Sequence, residues 1–199
     1  ADAAGECPIC LESVLGGVIC TLPCKHAFHR DCVEKLRKQG VHQLCPLCRT
    51  SLPAGPEKLY KDATCLYEST AGKHREVGLS WKPSTRSEEE AMAQVVEMTT
   101  NAANQGYARA QCHLGLYYQY GSGVAQDFNE AMRWFRKAAD QGDVDAQYNV
   151  GGMYSDGKGV TQDYNEAARW YRKAADQGDA DAQSGLGVMY QYGQGVAED

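Results

Sequence analysis

Eight sulfur- and imidazole-bearing side chains near the start of the chain are spaced as metal ligands, and that spacing limits what this stretch can fold into. Cys7-x2-Cys10 is followed thirteen residues later by Cys24-x-His26-x2-His29-x2-Cys32, and twelve residues after that by Cys45-x2-Cys48. A Cys-x2-Cys turn places two thiolates about 2.3 Å from one zinc, so each such pair supplies half of a closed tetrahedral site. Cys7/Cys10 and Cys45/Cys48 are two halves, and the central cluster must supply the other two. Chain order alone leaves open which central donors join which pair. Seven of the nine cysteines fall within the first 48 residues, and the odd total does not suit a complete disulfide framework.

A finger this short builds little core, so metal binding is expected to supply most of its folding free energy, on the order of 10–16 kcal/mol apparent per structural zinc. Closed coordination leaves no bound water to activate, and hydrolytic chemistry is not expected there. Cys20 lies in the apolar run Val18-Ile19-Cys20-Thr21-Leu22 and reads as a small buried hydrophobe; it is left out of the ligand set, as is His42. Cys65 and Cys112 fall on helical patterns further along and take the same buried reading. LIM and PHD modules also use eight such ligands, but they place the histidine differently and do not predict the pair His26 and His29.

The spacing resembles the cross-braced RING finger, in its subclass with two central histidines. That resemblance implies two structural Zn2+ ions with interleaved ligands: Cys7, Cys10, His29 and Cys32 at one, Cys24, His26, Cys45 and Cys48 at the other. It further implies a shallow apolar groove for a ubiquitin-conjugating enzyme, matched here by Ile9 and Pro46 inside the two knuckles and by Leu36 on a short helix over 33–38. Many members of the family carry tryptophan where this chain has Leu36, which alters affinity or partner choice while keeping an apolar contact. Arg49 directly follows Cys48, where active members place a linchpin arginine. Its guanidinium offers only donors, in a rigid fork that can bridge carbonyls of ubiquitin and the conjugating enzyme at once.

Beyond the finger the chain repeats with a period of 36 residues, marked by Ala110-Gln111, Ala146-Gln147 and Ala182-Gln183 and by Gly106, Gly142 and Gly178. The first helix of each unit carries its apolar residues at i, i+4, i+7 and i+8: Ala110, Leu114, Tyr117 and Tyr118, then Ala146, Val150, Met153 and Tyr154, then Ala182, Leu186, Met189 and Tyr190. Gly115, Gly151 and Gly187 are expected to admit close helix contact. A Gly-x-Gly-Val turn leads to a second helix, for which Asp127 with Glu130 and Asp163 with Glu166 are expected to form reciprocal capping boxes. Its stripe of Ala131, Trp134, Phe135, Ala138 and Ala139, echoed by Ala167, Trp170, Tyr171, Ala174 and Ala175, reads as core rather than as a ligand pocket. The motif resembles Sel-one-like repeats, relatives of the tetratricopeptide class, and implies a surface that binds proteins or peptides on an extended concave face. One period earlier, Val95, Met98, Ala102 and Ala103 mark a divergent second helix over 88–104, and Leu59, Ala63, Leu66 and Tyr67 a first helix near 57–68. Asp199 occupies a capping position, so the last repeat is expected to lack its second helix, and Leu186, Met189 and Tyr190 to lack a partner.

Residues 53 onward carry 14 Lys+Arg against 21 Asp+Glu, and no basic face stands out for phosphates, so nucleic acid is a poor partner. No run approaches the roughly 18 apolar residues that suggest a membrane span. The fold class expected is thus a small zinc-stabilised α+β finger (1–52), a linker with one helix (53–87) and an all-α repeat solenoid (88–199), in a cytoplasmic or nuclear protein. The expected activity is that of a RING-type ubiquitin ligase whose repeats hold a protein target; a zinc-stapled, non-catalytic scaffold is the alternative. Adding a strong zinc chelator is expected to collapse the amide dispersion of residues 1–52 in NMR spectra while the repeats stay folded, and elemental analysis is expected to return two zincs per chain.

Overall fold

The computed structural model describes residues 19–21, 27–38, 54–71, 83 and 85–195. The chain divides into two compact units, Ala1–Gly55 and Pro56–Asp199. In the first, strand β1 (Ile19–Thr21) pairs antiparallel with β2 (Ala27–His29), with Ile19 opposite His29 and Cys20 opposite Phe28. β2 runs directly into α1 (Arg30–Lys38), which starts three residues before the expected helix, with Asp31 favourably placed in its positive first turn. Phe28 and Val33 are fully buried, giving hairpin and helix a small shared apolar centre.

The second unit is built of α2 (Pro56–Ala71), α3 (Arg86–Asn104), α4 (Ala108–Tyr120), α5 (Phe128–Ala139), α6 (Val144–Asp156), α7 (Tyr164–Asp176) and α8 (Ala180–Gln191), each packed on its neighbours in sequence. Helix α2 opens on Pro56, whose missing N–H costs nothing at that position. Helix α3 opens on a true capping box: Thr85 Oγ1 accepts from the Glu88 N–H, and the Glu88 carboxylate accepts from the Thr85 N–H. The reciprocal boxes expected for α5 and α7 are only half formed. Asp127 and Asp163 accept from the first-turn amides, but Glu130 and Glu166 turn to Arg133 and Arg169 one turn on, where a charge-assisted bond replaces the backbone donor. Cys65, expected to be buried, is exposed, because the stripe of Leu59, Ala63, Leu66 and Tyr67 that faces α3 runs past it; Cys112 is buried as expected.

Two devices set the spacing between helices. A Cβ added to Gly115 would lie 2.6 Å from the Phe135 ring, and one added to Gly151 would lie 2.7 Å from the Tyr171 ring, so each aromatic side chain rests directly on bare backbone. The second device is a glutamine clasp. Gln111 Nε2 donates to the Ala103 carbonyl (3.0 Å) and its Oε1 accepts from Gln141 (2.7 Å); one period on, Gln147 reaches the Ala139 carbonyl (3.4 Å) and accepts from Gln177 (2.8 Å). Gln111 and Gln147 are each 5% exposed, so these bonds satisfy polar groups that water does not reach.

Trp134, Phe135, Trp170 and Tyr171 are all buried core residues, as their helical spacing predicts. Along α8 the expectation of an unpartnered side holds in part: Met189 is buried against α7, Leu186 is partly covered, and Tyr190 is 46% exposed. Nothing lies within 4 Å of where a Gly187 Cβ would stand. Gly151→Ala is therefore expected to overpack the Tyr171 contact and destabilise the repeats by about 1–3 kcal/mol. Gly187→Ala is expected to be neutral or to stabilise by about 0.5–1 kcal/mol, since it removes only a helix-interior glycine. Urea unfolding of the two variants checks the contrast; equal effects would contradict the close contact.

Candidate functional site

His29 ends β2 and Cys32 lies in the first turn of α1, so the strand-to-helix junction carries both donor residues, three positions apart. Cys32 is 7% exposed and His29 half-buried. A sulfur and a nitrogen donor three residues apart suit two of the four positions of a zinc site, so the residues present fit the metal. Leu36 stands one helical turn beyond Cys32 on the same side of α1 and is half-buried, which leaves part of it accessible from outside. Cys7, Cys10, Cys24, His26, Cys45 and Cys48, together with Ile9, Pro46 and Arg49, lie outside the described residues. Among the described residues no group of three or more His, Cys, Asp or Glu converges as a metal site.

A second cluster of polar and titratable groups lies in the repeats. The Tyr60 hydroxyl of α2 lies 3.2 Å from His113 Nε2 of α4, with the two rings edge-to-face at 5.3 Å. Tyr107 packs on Tyr60, and Tyr117 meets His113 edge-on at 6.4 Å. Burial pushes the His113 pKa down and outweighs the upward pull of Asp145 and Asp143; Arg109 adds to the lowering. Burial also raises the Cys112 thiol far above its ordinary range, helped by Asp143 and Asp145, so it is no nucleophile and no ready ligand. The Tyr171 phenol is pushed up to about 12, mainly by burial.

The repeat positions that carry this chemistry escape a reading based on periodicity, which rewards what recurs. Cys112, Tyr148 and Ser184 share one register, and His113, Asn149 and Gly185 the next, so these sites differ in every repeat. Variation at a fixed place in an otherwise constant unit is the signal that marks them.

A metal-binding finger followed by a two-helix solenoid defines the class. Residues 5–49 match the Ring finger domain, and residues 108–143, 144–179 and 180–199 match the Sel1 repeat, so the carboxy-terminal region is an all-helical Sel1 solenoid. Among curated proteins, the E3 ubiquitin-protein ligase RNF181 of Xenopus tropicalis is 48% identical over 54 residues, covering 27% of this chain and 33% of its own length. The E3 ubiquitin-protein ligase MPSR1 of Arabidopsis thaliana is 41% identical over 58 residues, covering 29% of this chain and 28% of its own. The chain thus spans about a third or less of these relatives. A solved Sel1 repeat protein from Oxalobacter formigenes aligns with TM-score 0.60 and 30% identity over 84% of this chain and 62% of its own. No helix among the described residues is long and apolar enough to cross a membrane.

The lowered His113 pKa carries a sign. Above about pH 6.5 the histidine is neutral in both folded and unfolded chains, and it contributes no pH dependence. Below that the unfolded chain takes up the proton first, so repeat stability is expected to fall as pH drops from about 6.5 toward the depressed folded value. Thermal unfolding of the intact chain against His113→Phe across this range is the check: the variant is expected to show the shallower pH slope.

Proposed function

We propose that the chain is the ubiquitin-transferring and target-holding part of a RING-type ubiquitin-protein ligase. The observation that carries this reading is the match of residues 5–49 to the Ring finger domain, with all eight ligand-type residues at its spacing and Arg49 directly behind the last of them. The ligase relatives support it. Two structural zinc ions hold the finger, one by Cys7, Cys10, His29 and Cys32, the other by Cys24, His26, Cys45 and Cys48. They act as scaffold and take no part in the transfer.

Ile9, Leu36 and Pro46 form the apolar contact for a ubiquitin-conjugating enzyme, and the partly accessible Leu36 on α1 supports its share of that role. Arg49 donates to carbonyls of ubiquitin and of the conjugating enzyme together, holding the thioester closed. The rate gain then comes from orientation and from shifting the population of a near-attack geometry, with no covalent intermediate on this chain. The Sel1 repeats present the target. Arg49→Ala is expected to keep its full zinc content and to slow ubiquitin discharge from a charged conjugating enzyme by roughly tenfold or more, the loss of a fork of charge-assisted bonds. Unchanged discharge would remove Arg49 from the mechanism, and silence of the wild-type chain with a panel of conjugating enzymes would favour a non-catalytic scaffold.

A further inference from the structure

Two units of the solenoid show what a first helix receives. In each, the second helix lays an aromatic ring on a bare glycine, Phe135 on Gly115 and Tyr171 on Gly151. Just past its end a glutamine reaches back, Gln141 to Gln111 and Gln177 to Gln147. Ring and glutamine stand six residues apart both times, with alanines between them at 138, 139, 174 and 175. Under that cover Leu114 and Val150 are 1% and 0% exposed, and Gly115, Gly151, Gln111 and Gln147 are buried.

Helix α8 carries the same receiving groups, and no second helix among the described residues lies on them. Gly187 takes the register of Gly115 and Gly151, yet it is exposed, with nothing within 4 Å of its Cβ position. Gln183 makes the inner half of the clasp, donating to the Ala175 carbonyl at 3.3 Å, but it is exposed and no described residue donates to its Oε1. Leu186 is partly covered, and Tyr190 is 46% exposed where its counterpart Tyr154 is half-buried. Gln183, Leu186, Gly187 and Tyr190 stand at i, i+3, i+4 and i+7, so they form one flank of α8. The turn beyond holds that flank in the receiving geometry. Gly195 adopts φ +65° after α8 as Gly159 adopts +69° after α6, and a Cβ on either would collide with the backbone of the second helix before it, at Tyr164 and at Phe128.

We propose that this flank of α8 binds an amphipathic helix of the target protein that carries an aromatic residue and, six residues on, a glutamine. The ring lies on Gly187, the glutamine donates to Gln183, and alanine-sized side chains between them let the helix come close, as α5 does on α4 and α7 on α6. The four receiving residues are uncharged, so shape and one polar pair select the partner. This deepens the reading in which the repeats hold the target, and it rests on that reading.

The test uses the full chain and, as probe, a synthetic peptide with the sequence of residues 163–177, added while the protein is followed by NMR. Saturable shifts are expected at the Gly187 amide and the Gln183 side chain. The same peptide carrying Tyr171→Ala is expected to bind about tenfold more weakly or worse; alanine favours the helix, so lost helicity does not explain that result. In the chain, Gly187→Leu is expected to abolish binding and Gln183→Ala to weaken it by about threefold. Val188→Ser, round the helix from that flank, is expected to leave binding unchanged. Equal binding of the two peptides, full binding to the Gly187→Leu chain, or an equal loss from Val188→Ser would overturn the proposal. So would a Gly187 amide already shielded before peptide is added, which assigns the flank to the chain itself or, where shielding grows with protein concentration, to a second copy. Ubiquitin discharge is read separately on the same variants, so a flank that binds nothing beside an active finger sinks this inference and leaves the ligase reading standing.

Discussion

The repeats depend on aromatic rings lying against bare backbone. Phe135 on Gly115 and Tyr171 on Gly151 bring the two helices of each unit closer than any side chain at those glycines would permit. Close packing of this kind yields many small dispersion contacts, and a single methyl forces them apart. Once that distance is set, the alanines at 131, 138, 167 and 174 fill what remains with almost no exposure. The glutamine clasps then tie each unit to the next, since Gln111 and Gln147 occupy carbonyls at the end of the preceding second helix and would otherwise be buried unsatisfied.

The amino-terminal unit solves the same problem by other means. Among its described residues, Phe28 and Val33 are the fully buried apolar side chains at a hairpin and one short helix, and a finger of this length builds little core and relies on metal. The two units also divide the labour proposed for them. In that proposal one offers Leu36 beside a zinc-held scaffold, and the other offers a long helical surface.

Charge follows the same two-layer logic. The cations of α5 and α7 lie partly over aromatic rings, Lys137 at 4.2 Å from Trp134 and Lys173 at 3.8 Å from Trp170, so they cover the tryptophan faces and complement the ends of their helices. The carboxylates at the starts of α6 and α8 cap or complement the opposite ends. Ordinary helix electrostatics therefore puts acid at the starts of α5 to α8 and base in the last turns of α5 and α7.

The sequence by itself determined the ligand spacing, the 36-residue period, which helix faces are apolar, and that Asp127 and Asp163 cap α5 and α7, because each is a local property of neighbours along the chain. It placed Trp134, Phe135, Trp170 and Tyr171 in the core and marked Gly115 and Gly151 for close contact. Only the tertiary structure decided that Glu130 and Glu166 abandon their caps for Arg133 and Arg169, that Cys65 faces outward, and that Gly187 meets nothing. It also decided that Tyr60 reaches His113 across 53 positions, and that Tyr171 meets both Gly152 and Gly185. Those outcomes depend on which side chains from different turns and helices arrive at one point in space. Periodicity along the chain reports the face a residue occupies but not the neighbour it meets there.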